Sequence, residues 1–132
     1  MEKINIVEFK ARYATNKHRI VLFEELERFL EKVDDFLSPY SVAIYGSYIT
    51  DKSDPSDVDL LLHGFVKETK HSDYTPKTLV PEGHVHLQKF ITSYTLCEKK
   101  LKDMSVIIDE FCSTEANRER RFEINEYVEI LF

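Results

Sequence analysis

Two aspartates, Asp57 and Asp59, flank a single valine directly before the run Leu60-Leu61-Leu62. On an extended strand, residues two apart project to the same face. The two carboxylates therefore stand side by side, and Val58 and Leu60 turn to the opposite, buried face. Like charges that close repel, and burying them unpaired is costly. A divalent cation relieves the repulsion, and hard oxygen donors favour Mg²⁺, which takes one or two carboxylates and leaves positions for substrate phosphates. Upstream, Val42-Ala43-Ile44-Tyr45 runs into Gly46-Ser47, with nine residues between Ser47 and Asp57. Glycine lets the chain turn sharply and lets a ligand approach the backbone. If a short helix follows Ser47, its free N–H groups suit a phosphate. A phosphate cradle beside paired carboxylates is the equipment of metal-assisted phosphoryl or nucleotidyl transfer. Lys52 lies in the same segment, either as a phosphate contact or as a solvated loop lysine.

The elements that must position these residues follow from periodicity. Between His18 and Leu37, apolar residues recur every three or four positions (Val21, Leu22, Leu26, Phe29, Leu30, Val33, Leu37), which predicts an amphipathic helix ended by Ser38-Pro39. Val42–Tyr45 reads as a short buried strand and Asp57–Leu62 as a second, closed by His63-Gly64. Residues 65–83 are polar, carry Pro76 and Pro81, and read as a long insertion outside the core. The alternation in His84-Val85-His86-Leu87-Gln88-Lys89-Phe90 predicts a third strand. Beyond Thr92 the spacing of Leu101, Met104, Ile107, Ile108 and Phe111 favours a helix, with Cys97 packed in it; the β-branched run 106–108 leaves a strand open. Residues 118–131 fit either a helix or a strand, and residues 1–17 are unassigned.

The stretch from Val42 to Leu62, with Gly46-Ser47 and Asp57-Val58-Asp59-Leu60 each joined to a hydrophobic strand, resembles the signature of the polymerase-beta-like nucleotidyltransferase superfamily. It is most similar to small standalone members, including the minimal nucleotidyltransferases of bacterial toxin–antitoxin pairs. The resemblance implies an α/β (α+β) fold with a small mixed sheet and helices packed on one side, within a single domain over residues 1–132. It implies transfer of a nucleoside monophosphate from a nucleoside triphosphate, ATP first, to an acceptor hydroxyl. Gly46 and Ser47 would then hold the phosphates, and Asp57 and Asp59 would be the catalytic carboxylates and ligands of Mg²⁺. With little chain left for a separate acceptor domain, the acceptor surface is expected from a partner protein, such as a toxin, or from a second subunit.

One departure from the signature stands out. Active members of the superfamily carry a third carboxylate on a later strand, and residues 84–87 hold none. By alternation His84 and His86 share a face, and His86 is the substitute expected beside Asp59, since imidazole serves as metal ligand or base. Two partly exposed histidines without a role are the alternative. Asp109 supplies the third acid only if residues 106–108 form a strand. The second reading is accordingly a catalytically inactive module of this fold that binds a partner or acts like an antitoxin.

Composition sets the outer limits. The chain has 132 residues with 42% hydrophobic and 12% aromatic content, enough for one core and too apolar for a mainly disordered chain. Eighteen basic against twenty-four acidic residues give a formal charge of -6, which disfavours non-specific nucleic-acid binding, a mode that depends on neutralising phosphates. Arg118, Arg120 and Arg121 form a local basic cluster near Glu119 and Glu123, read as a solvated face or a docking surface. No apolar run approaches the roughly 20 residues of a membrane span, and no signal-peptide pattern opens the chain. A cytoplasmic location without membrane association is expected. Cys97 and Cys112 suggest neither a zinc site nor a disulfide framework.

Overall fold

The computed structural model describes residues 2–75, 77–92, 100–121 and 123–132. Strand β1 (Glu2–Asn5) leads into helix α1 (Ile6–Tyr13), and helix α2 (Lys17–Phe36) follows. Both helices start on an asparagine cap. The Asn5 side chain accepts from the Glu8 N–H and the Asn16 side chain from the Arg19 N–H, each at 2.8 Å. Strand β2 (Leu37–Tyr45) ends at Gly46, where a single 3₁₀ turn spans Gly46–Ile49. Strand β3 (Val58–Val66), strand β4 (Val85–Thr92), helix α3 (Met104–Cys112), the short helix α4 (Glu115–Glu119) and strand β5 (Tyr127–Leu131) follow among the described residues.

The five strands form one mixed sheet in the order β1-β5-β2-β3-β4. β2 pairs antiparallel with both β3 and β5, whereas β1 with β5 and β3 with β4 are parallel. The parallel β3–β4 link requires a crossover, and residues 67–84 supply it. Leu79 of that segment is fully buried against the α2 side, the Lys67 N–H donates to the Phe36 carbonyl, and the Lys32 ammonium reaches the Val80 carbonyl. The expected polar insertion thus contributes an apolar anchor to the core.

The mixed α/β class stands, but helices cover both faces of the sheet, which corrects the expectation of a single covered side. Val42, Ile44, Val58, Leu60 and Leu62 pack against Phe9, Leu22, Phe23, Leu26, Phe29 and Val33 of α1 and α2. Ala43, Tyr45 and Leu61 pack against Met104, Ile107, Ile108 and Phe111 of α3. A run such as Leu60-Leu61-Leu62, apolar at every position, has a hydrophobic side chain for each face, so both faces must be covered.

Three boundaries also shift. His63-Gly64 does not end β3, which continues to Val66; Gly64 is there because a Cβ would lie 2.8 Å from the Cβ of Tyr40 on the neighbouring strand. Residues 106–108 are helical, so α3 prevails over the strand alternative. The ambiguous 118–131 region divides into the end of α4 and strand β5, with Val128 and Ile130 buried. Cys97 lies outside the described residues. Among the described residues, no helix is long and apolar enough to cross a membrane.

Candidate metal centre

The sheet register assembles the site. Tyr127 of β5 faces Tyr45 of β2, Tyr45 faces Asp59 of β3, and Asp59 faces His86 of β4. Register neighbours point to the same face, so these four residues form a row across one end of the sheet. Asp57, two residues before Asp59, adds a second carboxylate on that side. The Val58 N–H donates to the His84 carbonyl at 2.8 Å, which ties the beginning of β3 to the beginning of β4.

The His86 imidazole completes a three-residue cluster. Its Nδ1 is 3.6 Å from Asp59 Oδ1 and 4.0 Å from Asp57 Oδ2. One donor atom from each of Asp57, Asp59 and His86 lies within 4.8 Å of the others. The carboxylates are partly buried and the imidazole is exposed. Burial, followed by the neighbouring Asp57 charge, raises the Asp59 carboxyl above its ordinary 3.8, and His86 opposes the rise. Burial, followed by the charges of Asp59, Cys112 and Asp57, pushes the Tyr45 phenol well up, so it stays a neutral hydroxyl.

Gly46 is the second wall. Its φ is +81°, a left-handed conformation, and a Cβ there would lie 2.5 Å from Asp59 Oδ2. The backbone therefore comes against the carboxylate in a way that only glycine permits. Ser47 follows in the 3₁₀ turn, its carbonyl accepting from the Thr50 N–H at 3.1 Å and the Thr50 hydroxyl at 2.6 Å. The helical segment at Ser47 is this one short 3₁₀ turn. Lys52 is exposed in the loop beyond it.

Two other residues considered for the site are elsewhere. His84 directly precedes β4, and its side chain pairs with α2 rather than joining His86. Its backbone N–H and Nδ1 both contact the Glu25 carboxylate of α2, at 2.8 and 3.1 Å. The turn through Gly83, with φ +68°, brings the backbone so close to Glu25 that a Cβ would be 2.5 Å away. Asp109 is an exposed residue on α3 and does not join the cluster.

Sequence reasoning missed two other features. A cleft of about 440 Å³ adjoins Asp59 and is lined by Tyr45, Gly46, Ile49 and Thr50 on one side and by Glu123, Ile124, Asn125 and Glu126 on the other. The return of β5 beside β2 brings these late residues to the site, and no local spacing relates them to the Asp pair. The nine-residue loop is also fastened from beneath by the first turn of α2. The buried Arg19 guanidinium donates to the carbonyls of Tyr48 and Thr50, both at 2.7 Å, and to that of Lys52 at 2.5 and 3.0 Å.

This donor set fits a divalent cation. Two partly buried carboxylates that repel each other gain from a positive charge. The imidazole extends the fit from Mg²⁺ toward Mn²⁺, which accepts nitrogen more readily. Neither a curated protein nor a solved structure matches the chain. The profile of a family of unknown function, DUF6932, covers residues 2–122, and the chain belongs to that family.

Proposed function

We propose that this chain is a divalent-metal-dependent nucleotidyltransferase, moving a nucleoside monophosphate from a nucleoside triphosphate to an acceptor hydroxyl. The observation that carries the reading is the convergence of Asp57, Asp59 and His86 beside the left-handed Gly46 turn. It agrees with the resemblance of Val42–Leu62 to the polymerase-beta-like nucleotidyltransferases. Asp57 and Asp59 would hold Mg²⁺ or Mn²⁺, with His86 as third ligand. When bound, the cation would offset the charge of the triphosphate and of the leaving pyrophosphate.

The chain's own residues have separate tasks. Gly46 and Ser47 present backbone to the phosphates. The cleft of Ile49, Thr50, Ile124 and Asn125 receives an organic portion of a substrate. His86 would complete the ligand set of the cation, and the acceptor's hydroxyl proton passes to solvent. The hydroxyl oxygen forms the new bond to the α-phosphorus, and the α–β anhydride bond breaks. A partner protein or a second copy of the chain supplies the acceptor, in a cytoplasmic setting.

The alternative, an inactive binding or antitoxin-like module, is favoured by one observation: the register position beside Asp59 on β4 holds His86 and not a third carboxylate. α-Labelled ATP separates the two readings. Mg²⁺- or Mn²⁺-dependent incorporation of label into the chain or a co-purified partner, lost in Asp57→Ala, supports transfer. Cation-dependent ATP binding without incorporation supports the module.

A further inference from the structure

Arg19 is 3% exposed, and its chemistry is unusual for a buried cation. A guanidinium has five N–H donors in a rigid fork, and removing it from water is costly unless they are used. Here they are used on backbone carbonyls. Nε and one terminal nitrogen share the Lys52 carbonyl, that same nitrogen reaches Thr50, and the other reaches Tyr48 at 2.7 Å and Tyr13 at 3.1 Å. The Tyr48 hydroxyl returns a hydrogen bond to the Arg19 carbonyl at 2.9 Å, and its ring centroid lies 5.1 Å from the guanidinium carbon.

Three of the four carbonyls belong to the segment between Gly46 and Asp57. The same turn of α2 holds the remainder of that segment. The Asn16 amide donates to the Ser53 carbonyl at 2.8 Å, and His18 Nε2 contacts the Pro55 carbonyl at 2.7 Å. Pro55 is buried and stands two residues before Asp57. Tyr48, Thr50, Lys52, Ser53 and Pro55 are thus fixed to one helical turn, which is itself packed on the sheet.

We propose that Arg19 is the positioning residue of the cation site, with His18 as its auxiliary. By drawing the loop carbonyls onto α2, it sets the place at which Asp57 enters β3 relative to Gly46 and Asp59. This rests on the reading of Asp57, Asp59 and His86 as a cation site. Arg19 touches neither cation nor substrate and acts through the backbone alone. Lysine keeps the charge but offers three donors on one atom, which cannot span carbonyls served by three separate nitrogens.

The test uses Mn²⁺ as probe and the Arg19→Lys variant of the full chain. Mn²⁺ affinity is measured by calorimetry, and amide exchange of residues 50–57 is followed in the metal-free protein. The expected result is at least a tenfold loss of Mn²⁺ affinity and faster exchange confined to the loop, with the core amides of α2 and β2 still protected. Wild-type affinity in a folded Arg19→Lys protein would overturn the proposal and leave Arg19 a stabilising residue only. If Arg19→Lys fails to fold, His18→Ala removes one loop contact and leaves the core intact. That variant should lose Mn²⁺ affinity severalfold, and an unchanged affinity counts against the clamp. If the wild-type chain binds no Mn²⁺ at all, the cation site itself fails, and the positioning role fails with it. If the wild type binds and the variants do as well, only the positioning role fails.

Discussion

Gly46 and Asp59 are in direct opposition: the backbone of one leaves so little room that a Cβ would sit 2.5 Å from the carboxylate oxygen of the other. Gly46→Ala therefore meets two obstacles, the left-handed φ of +81° and the Asp59 side chain. A destabilisation of roughly 1–3 kcal/mol is expected from the strain alone. Displacement of Asp59 should also weaken Mn²⁺ binding at least tenfold. Urea denaturation and calorimetry measure the two effects, and an alanine variant with wild-type values in both would contradict the described contact.

Asp59 itself has a pH signature. Its carboxyl holds a proton more tightly in the folded chain than in the unfolded one, because burial and Asp57 penalise its charge. The folded state then binds more protons, and stability falls as pH rises. Its stabilising contribution is full below 3.8 and is lost as pH rises through the raised folded value. In the metal-free protein, Asp59→Asn should raise the urea midpoint near neutral pH and flatten its pH dependence above pH 4. The same variant should lose the Mn²⁺-induced rise in Tm. A lower midpoint at neutral pH would assign Asp59 a structural hydrogen-bonding role instead.

The two histidines should separate cleanly. His86→Ala is expected to reduce Mn²⁺ affinity several-fold with little change in stability, since its side chain is 70% exposed. His84→Ala and Glu25→Ala break the tie between the β4 turn and α2, and should leave Mn²⁺ affinity within about twofold of wild type. Glu25→Ala should cost about 1.5–3 kcal/mol, the range for a hydrogen bond to a charged group. Equal effects of His84→Ala and His86→Ala on the metal would refute the assignment of their separate environments.

Much of the site was legible locally. Alternation in Asp57-Val58-Asp59 placed both carboxylates on one face, and alternation in Val85-His86-Leu87 placed His86 opposite the buried valine. Alternation failed at His84 because Glu25, 59 residues earlier, pairs with its side chain. Arg19 is not among the apolar positions whose spacing predicts α2. Its burial follows from carbonyls that approach only when the 46–57 loop folds back, which no helical periodicity encodes. The second covered face had a signal in Val42-Ala43-Ile44-Tyr45, where every position is apolar or aromatic. Glu123 and Glu126 had none, because the pairing of β5 beside β2 is a long-range event.

The claim that Asp57, Asp59 and His86 form the cation site of a nucleotidyltransferase is tested most directly by crystals grown with Mn²⁺ and a non-hydrolysable ATP analogue. The predicted result is an anomalous Mn²⁺ peak bonded to both carboxylates, with His86 Nδ1 in its coordination sphere and the triphosphate against Gly46 and Ser47. A nucleotide or Mn²⁺ bound away from Asp57 and Asp59, or neither bound at saturating concentration, would contradict it.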